Sequence, residues 1–193
     1  VFVANESAII FKGAEDYPIR LGAQKGTWMG MMVLNSTEQS LLENVIIEDA
    51  AYIDRGGWIL TGGVTFYNTL VLFNRLKIQN NHGEDALNLV HTKYIMTNSL
   101  FRNTFSDALD NDFCNGTIEN TVFIDVNADA IDVSGTQLEV KNVKVYKAGD
   151  KGLSIGERSN VTAENVFVEQ ADFGVASKDL SKIVIDNIKI NKT

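Results

Sequence analysis

One proline, one cysteine and two histidines stand among 193 residues, and each shortage removes a class of explanation. A lone Cys114 cannot close an intrachain disulfide, so the fold must hold without such staples. That suits a cytosolic chain, and equally a bacterial extracellular solenoid that does not depend on disulfides. Little proline and 15 glycines leave room for short bends and none for long linkers. Basic residues are few: 17 Lys and Arg against 25 Asp and Glu give a formal net charge of -8. Phosphate backbones are held by clustered cations, so nucleic acid is not an expected partner. No apolar run approaches the roughly 20 residues of a membrane-spanning helix, and no membrane insertion is expected. No window keeps the 3.6-residue spacing of an amphipathic helix. Asn-Xaa-Ser/Thr triplets begin at Asn5, Asn35, Asn115, Asn160 and Asn191, but in a chain this rich in Asn and Thr turns they carry little weight as glycosylation signals.

What is present is a repeat of 22 residues. Asp85-Ala86-Leu87-Asn88, Asp107-Ala108-Leu109-Asp110, Asp129-Ala130-Ile131-Asp132, Lys151-Gly152-Leu153-Ser154 and Phe173-Gly174-Val175-Ala176 align at that step. Between these rows lie pairs of alternating apolar and polar pieces joined by an asparagine, such as Thr117-Ile118-Glu119-Asn120-Thr121-Val122-Phe123. Period-two alternation with β-branched and aromatic residues reads as half-buried strand, giving three short strands per repeat. Asn98, Asn120, Asn142, Asn165 and Asn187 fall in one column. Asn tolerates left-handed backbone geometry, and stacked Asn side chains hydrogen-bond from coil to coil. The earlier runs Leu41–Ile47, which contains Asn44, and Leu70–Asn74 read as two more coils, with the extra residues near 52–63 bulging out as a loop. Residues 1–40 read as further coils of less regular sequence.

A repeat of this length predicts stacked units that bury their apolar faces on one another. The three strands per coil, the Asn column and the Asp-Ala-Ile-Asp-Val-Ser-Gly stretch at 129–135 resemble bacterial extracellular right-handed parallel β-helix repeat proteins, over roughly residues 40–190. The resemblance implies an all-β solenoid of about 22 residues per coil, a single domain over 1–193, an extracellular or cell-surface location and a polysaccharide partner. Neither end shows an amphipathic capping helix, so neighbouring domains of a longer chain are expected.

The repeat also crowds carboxylates. If Leu87, Leu109, Ile131 and Leu153 face the core, then Asn88, Asp110, Asp132 and Ser154 face out, beside Asp85, Asp107, Asp129 and Lys151. Coils stack about 4.8 Å apart, so Asp107, Asp110, Asp129 and Asp132 form a quartet bordered by Asp112. Four carboxylates so close either share protons or attract a cation, and an oxygen set of this kind suits Ca²⁺. By similarity to calcium-dependent β-helix pectate lyases, the quartet would hold the metal and Lys151 would act as base. Asp85, Asn88, Asp112, Ser154 and Arg158 would then contact the polysaccharide. Repeated Asp at a bend equally serves to cap backbone N–H groups and keep a face soluble.

Three functions therefore stay open: a polysaccharide-binding surface domain with or without Ca²⁺, a Ca²⁺-assisted lyase or epimerase on uronate polymers, and a structural spacer or adhesin. A glycoside hydrolase using two of the aspartates ranks lower, since Asn-Thr-Asp, Gly-His-Gly and Arg-Ile-Lys motifs are missing. His82 and His91 flank the Glu84-Asp85 coil, where a loop role outranks a proton shuttle. Cys114 reads as packing rather than nucleophile. Tyr52, Trp58, Phe66 and Tyr67 pack the loop or wall a cleft, and the late Lys residues form a solvated face.

Overall fold

The computed structural model describes residues 1–55 and 57–193, the side chains of Arg55 and Trp58 excepted. Strands alone make up its regular structure, stacked as a parallel solenoid of about seven turns with roughly 23 residues per turn. Each coil places one strand in an eight-stranded sheet, as in Met31–Leu34, Gly62–Tyr67, Asp85–Val90, Asp107–Asp112, Ile131–Ser134, Lys151–Gly156 and Phe173–Ser177. The other two strands join an eleven-stranded sheet. They are separate in Lys93–Thr97 and Leu100–Thr104, and continuous in Gln39–Glu48, Leu70–Gln79, Gln137–Ala148, Asn160–Glu169 and Lys182–Asn191. The less regular start follows the same plan, with Phe2–Asn5 paired to Met31–Leu34 and Ile10–Lys12 paired to Gln39–Glu48.

Alternation decides which side chains fill the tube. Leu87, Leu109, Ile131, Leu153 and Val175 stand in register across five strands, and the first four are buried in the core. Phe101 stacks on Phe123 with centroids 4.9 Å apart. The column Ala86, Ala108, Ala130, Gly152, Gly174 stays small because a Cβ on Gly152 would lie 2.8 Å from a Val168 methyl.

The bends between strands are single left-handed residues. Asn44, Asn98, Asn120, Asn142, Asn165 and Asn187 all have φ between 51° and 60°. Their amides form the expected ladder: Asn187 donates to Asn165 at 2.6 Å, Asn165 to Asn142 at 3.1 Å and Asn142 to Asn120 at 3.1 Å. One member differs from expectation. Glu43 pairs with Asn74 and Val45 with Leu76, so the residue opposite Asn44 is Arg75, which takes the left-handed bend at φ 53°. Asn74 sits one place early and accepts the Asn98 amide from there at 3.2 Å. A second left-handed column runs through Asp49, Asn80, Asn103, Asp125, Lys147 and Gln170.

A third column explains Cys114. Thr69, Thr92, Cys114, Thr136 and Ser159 follow successive bends and are all buried. The Cys114 N–H donates to Thr136 Oγ1 at 2.8 Å, and the Thr136 N–H to Ser159 Oγ at 3.1 Å. The Cys114 thiol donates in turn to the Leu89 and Asp112 carbonyls. It is the sulfur member of a hydroxyl ladder, and burial pushes its pKa up to about 12.

The extra residues at 52–63 are a hairpin, Ile53–Arg55 against Trp58–Leu60. Ile53 and Leu60 pack on Met32 and Leu34, which alternate with core residues Met31 and Val33 and so lie on the outer face of the eight-stranded sheet. The hairpin therefore folds onto that face. The role considered for the Trp58 ring lies outside the described side chains.

Candidate functional site

Three outward columns run along the eight-stranded sheet. The middle one reads Met32, Thr65, Asn88, Asp110, Asp132, Ser154, Ala176 in unbroken register. One flank carries Gly62, Asp85, Asp107, Asp129, Lys151 and Phe173. The other carries Leu34, Tyr67, Val90, Asp112, Ser134 and Gly156. Chemistry changes along them: apolar beneath the hairpin, acidic over the next coils, and at the far end small in two columns with Lys151 and then Phe173 in the third. The result is an open acidic strip closed at one end by the hairpin. Thr61, at the hairpin's exit, ties the two together by donating to Asp85 Oδ2 at 2.9 Å.

The quartet and its neighbours share this strip, but each of the four quartet carboxylates is engaged by the protein. Asp107 Oδ1 accepts the Asp129 N–H at 2.8 Å, and Asp129 Oδ1 accepts the Lys151 N–H at 2.9 Å. Here side-chain oxygens stand in for backbone acceptors, which is the capping use of repeated Asp. Asn88 Nδ2 donates to Asp110 Oδ2 at 2.8 Å and to Asp85 Oδ2 at 3.3 Å. Asp132 Oδ1 accepts the neighbouring Val133 N–H at 2.9 Å. Among the described residues, no three acidic, histidine or cysteine side chains converge as a ligand set for a metal ion.

Crowding and burial favour the protonated acids. Burial pushes Asp85 up to about 6, opposed by the hydrogen bond from Thr61. Burial likewise pushes Asp107 up to about 7, with the charges of Asp129, Asp85 and Asp132 adding to it. Asp110 rises furthest, to about 8, through burial and the charges of Asp85, Asp112, Asp132 and Asp107. Asp112 and Asp129 move the same way, burial outweighing Lys151 in the second case.

Lys151 is a partner in this network. Its ammonium pairs with Asp150 and lies 3.4 Å from Asp129 Oδ1. Burial pulls its pKa down, but the Asp150 hydrogen bond and both negative charges outweigh it and hold it above the usual lysine value. A lysine so held keeps its proton at neutral pH, whereas a general base must have lost it.

Two hydroxyls on the strip lack partners. Ser154 Oγ is shielded from water beside Asp132, and Thr65 Oγ1 is similarly shielded beside Asn88; neither has a hydrogen bond among the described residues. Arg158 stands off the strip at the next bend, exposed, in a depression shared with Phe113, Glu157, Asp179 and Leu180. His91 is exposed and stacks on Phe113 at 5.3 Å, with Tyr67 edge-on at 6.0 Å. His82 is exposed, away from the carboxylates' hydrogen bonds. Phe66 belongs to the core and packs edge-on against Phe73, while Tyr52 is half exposed. The seven late lysines 141, 144, 147, 178, 182, 189 and 192 are all exposed.

Sequence reasoning missed Thr61, Thr65 and Asp150, and did not foresee that the hairpin lies on the acidic face. A signal was there: Met31-Met32-Val33-Leu34 is apolar at four successive positions. A strand apolar on both faces is covered on both. Comparison with protein-family models and with curated proteins gave no match.

Proposed function

We propose that this chain is a polysaccharide-binding domain of a secreted or cell-surface protein, holding a glycan lengthwise along the acidic strip without chemistry on it. The observation that carries the reading is the in-register line Asn88, Asp110, Asp132 between two shielded, unpartnered hydroxyls. Such a line offers hydrogen-bonding groups at every coil, about 4.8 Å apart, to a polymer whose own hydroxyls repeat. The hairpin gives the line a defined end. Calcium is not required by this reading, because each quartet member already has a protein partner. Asp107, Asp110, Asp129 and Asp132 remain the residues that would hold Ca²⁺, which would bridge the strip to a uronate carboxylate.

The lyase or epimerase alternative asks Lys151 to act as base, and its pairing with Asp129 and Asp150 works against that role. The spacer alternative asks nothing of the strip. One experiment separates the three. Migration of the purified domain is followed in gels loaded with neutral, uronate and amino-sugar polysaccharides, with Ca²⁺ and with chelator, alongside ultraviolet detection of unsaturated sugar ends. The binding domain is retarded by at least one polymer without forming unsaturated product, and Asp110→Asn with Asp132→Asn abolishes the retardation. Product formation that depends on Lys151 would establish the lyase. Unretarded migration in every gel would leave the spacer.

A further inference from the structure

From the charge and spacing of the strip we infer that its ligand is a cationic amino-sugar polymer, bearing free ammonium groups at successive sugars, and not a uronate. This rests on the glycan-binding reading above and names the class of glycan. Six aspartates, 85, 107, 110, 112, 129 and 132, line the three columns within three coils. Among the described residues Lys151 is the only lysine or arginine in the three columns, and Asp129 and Asp150 already claim it. Lys178 lies beyond, its stem over Gly156 at the far end. A bare uronate would thus meet the charge of every aspartate that is ionised and find no free cation in the columns to pair with.

Spacing favours a sugar chain over a basic peptide. The carboxylates recur once per coil, about 4.8 Å, close to the advance per sugar of a β-1,4-linked pyranose chain, which turns over at each sugar and so returns its amino groups to one side at every second coil. An extended peptide places successive side chains of one face about 6.8 Å apart, so its lysines fall out of step within two coils. The independent sign of a ligand is the pair of shielded hydroxyls. Ser154 and Thr65 stand in the outward column at either end of the acidic line, and their hydroxyls have no hydrogen-bond partner among the described residues. Buried hydroxyls are normally satisfied, and rotation of either side chain toward the strip brings its hydroxyl to a polymer seated over Asn88, Asp110 and Asp132.

The test is calorimetric titration of the intact chain with four ligands of equal length at pH 6, where the glucosamine ammonium groups are charged and displace the protons of Asp107 and Asp110 as they bind. The ligands are a glucosamine hexamer, its fully N-acetylated form, an oligouronate with and without Ca²⁺, and hexalysine. The glucosamine hexamer binds at least tenfold more tightly than any other, weakens as salt is raised, and loses at least tenfold in Asp110→Asn with Asp132→Asn. Circular dichroism of that variant confirms the fold is kept. Equal binding of the acetylated form or of hexalysine overturns the inference. So does strip-dependent binding of the uronate alone, although the glycan reading then survives. Silence from all four, and from the neutral polymers of the gel panel, removes both.

Discussion

At the residue scale the aspartates of the strip are placed against their own electrostatic interest, and that sets a pH dependence. An unfolded Asp titrates near 3.9, while Asp85, Asp107 and Asp110 hold protons up to about 6, 7 and 8 in the fold. Between those limits the folded chain binds more protons than the unfolded one, so stability falls as pH rises from about 4 through about 8. Thermal melts in chelator between pH 4 and pH 9 should show Tm dropping over that window. Asp110→Asn keeps an acceptor for Asn88 and removes the most raised of the three carboxyls. Its profile should be flatter, with Tm above the parent at pH 9 by about 2–4 °C for each kcal/mol recovered. A parent Tm that climbs with pH would contradict this. Because Asp110 also belongs to the binding strip, the variant gains stability as it loses ligand, the signature of a residue kept for function.

At the scale of the element, columns matter more than single strands. The hydroxyl ladder through Thr92, Cys114, Thr136 and Ser159 gives buried N–H groups acceptors at each bend. Thr136→Val leaves the Cys114 N–H without one and should cost about 1–3 kcal/mol in urea unfolding. Thr136→Ser and Cys114→Thr should both be tolerated within about 1 kcal/mol. If Thr136→Val is neutral, the ladder contributes nothing. The strands and their inward faces were legible in the sequence because alternation and a fixed 22-residue step both survive from Asp85 to Ser177. The hydroxyl column was not, because Thr, Cys, Thr and Ser share a hydrogen-bonding role that hydropathy does not show. Arg75 escaped for a related reason: left-handed geometry is a property of the bend, and a neighbouring Asn74 looks like the better candidate until register is known. The acidic strip was legible as a set of residues, since Asp107, Asp110, Asp129 and Asp132 do share one face. What periodicity could not show was the commitment of each carboxylate: Asp107 to the Asp129 amide, Asp129 to Lys151.

At the scale of the whole molecule, one irregularity breaks an otherwise repetitive tube. The hairpin covers Met32, Leu34 and its own Ile53, which are buried only because it folds back onto the sheet. Replacing residues 53–60 with a short Gly-Ser link should leave the strand signal in circular dichroism intact, since no coil pairs through the hairpin. It should also uncover an apolar patch next to the acidic coils. Self-association seen by light scattering is the expected outcome. A monodisperse variant would mean the patch finds other cover.

A glycan on the acidic strip has to sit over the middle column. Amide chemical shifts of the ¹⁵N-labelled domain, followed while the glucosamine hexamer is added, report that position directly. Shifts concentrated at Asn88, Asp110, Asp132 and Ser154, fading beyond Ala176 and on the eleven-stranded sheet, are the predicted result. Shifts scattered over the lysine-rich last coils, or confined to the depression around Phe113 and Arg158, would place the ligand elsewhere and contradict it.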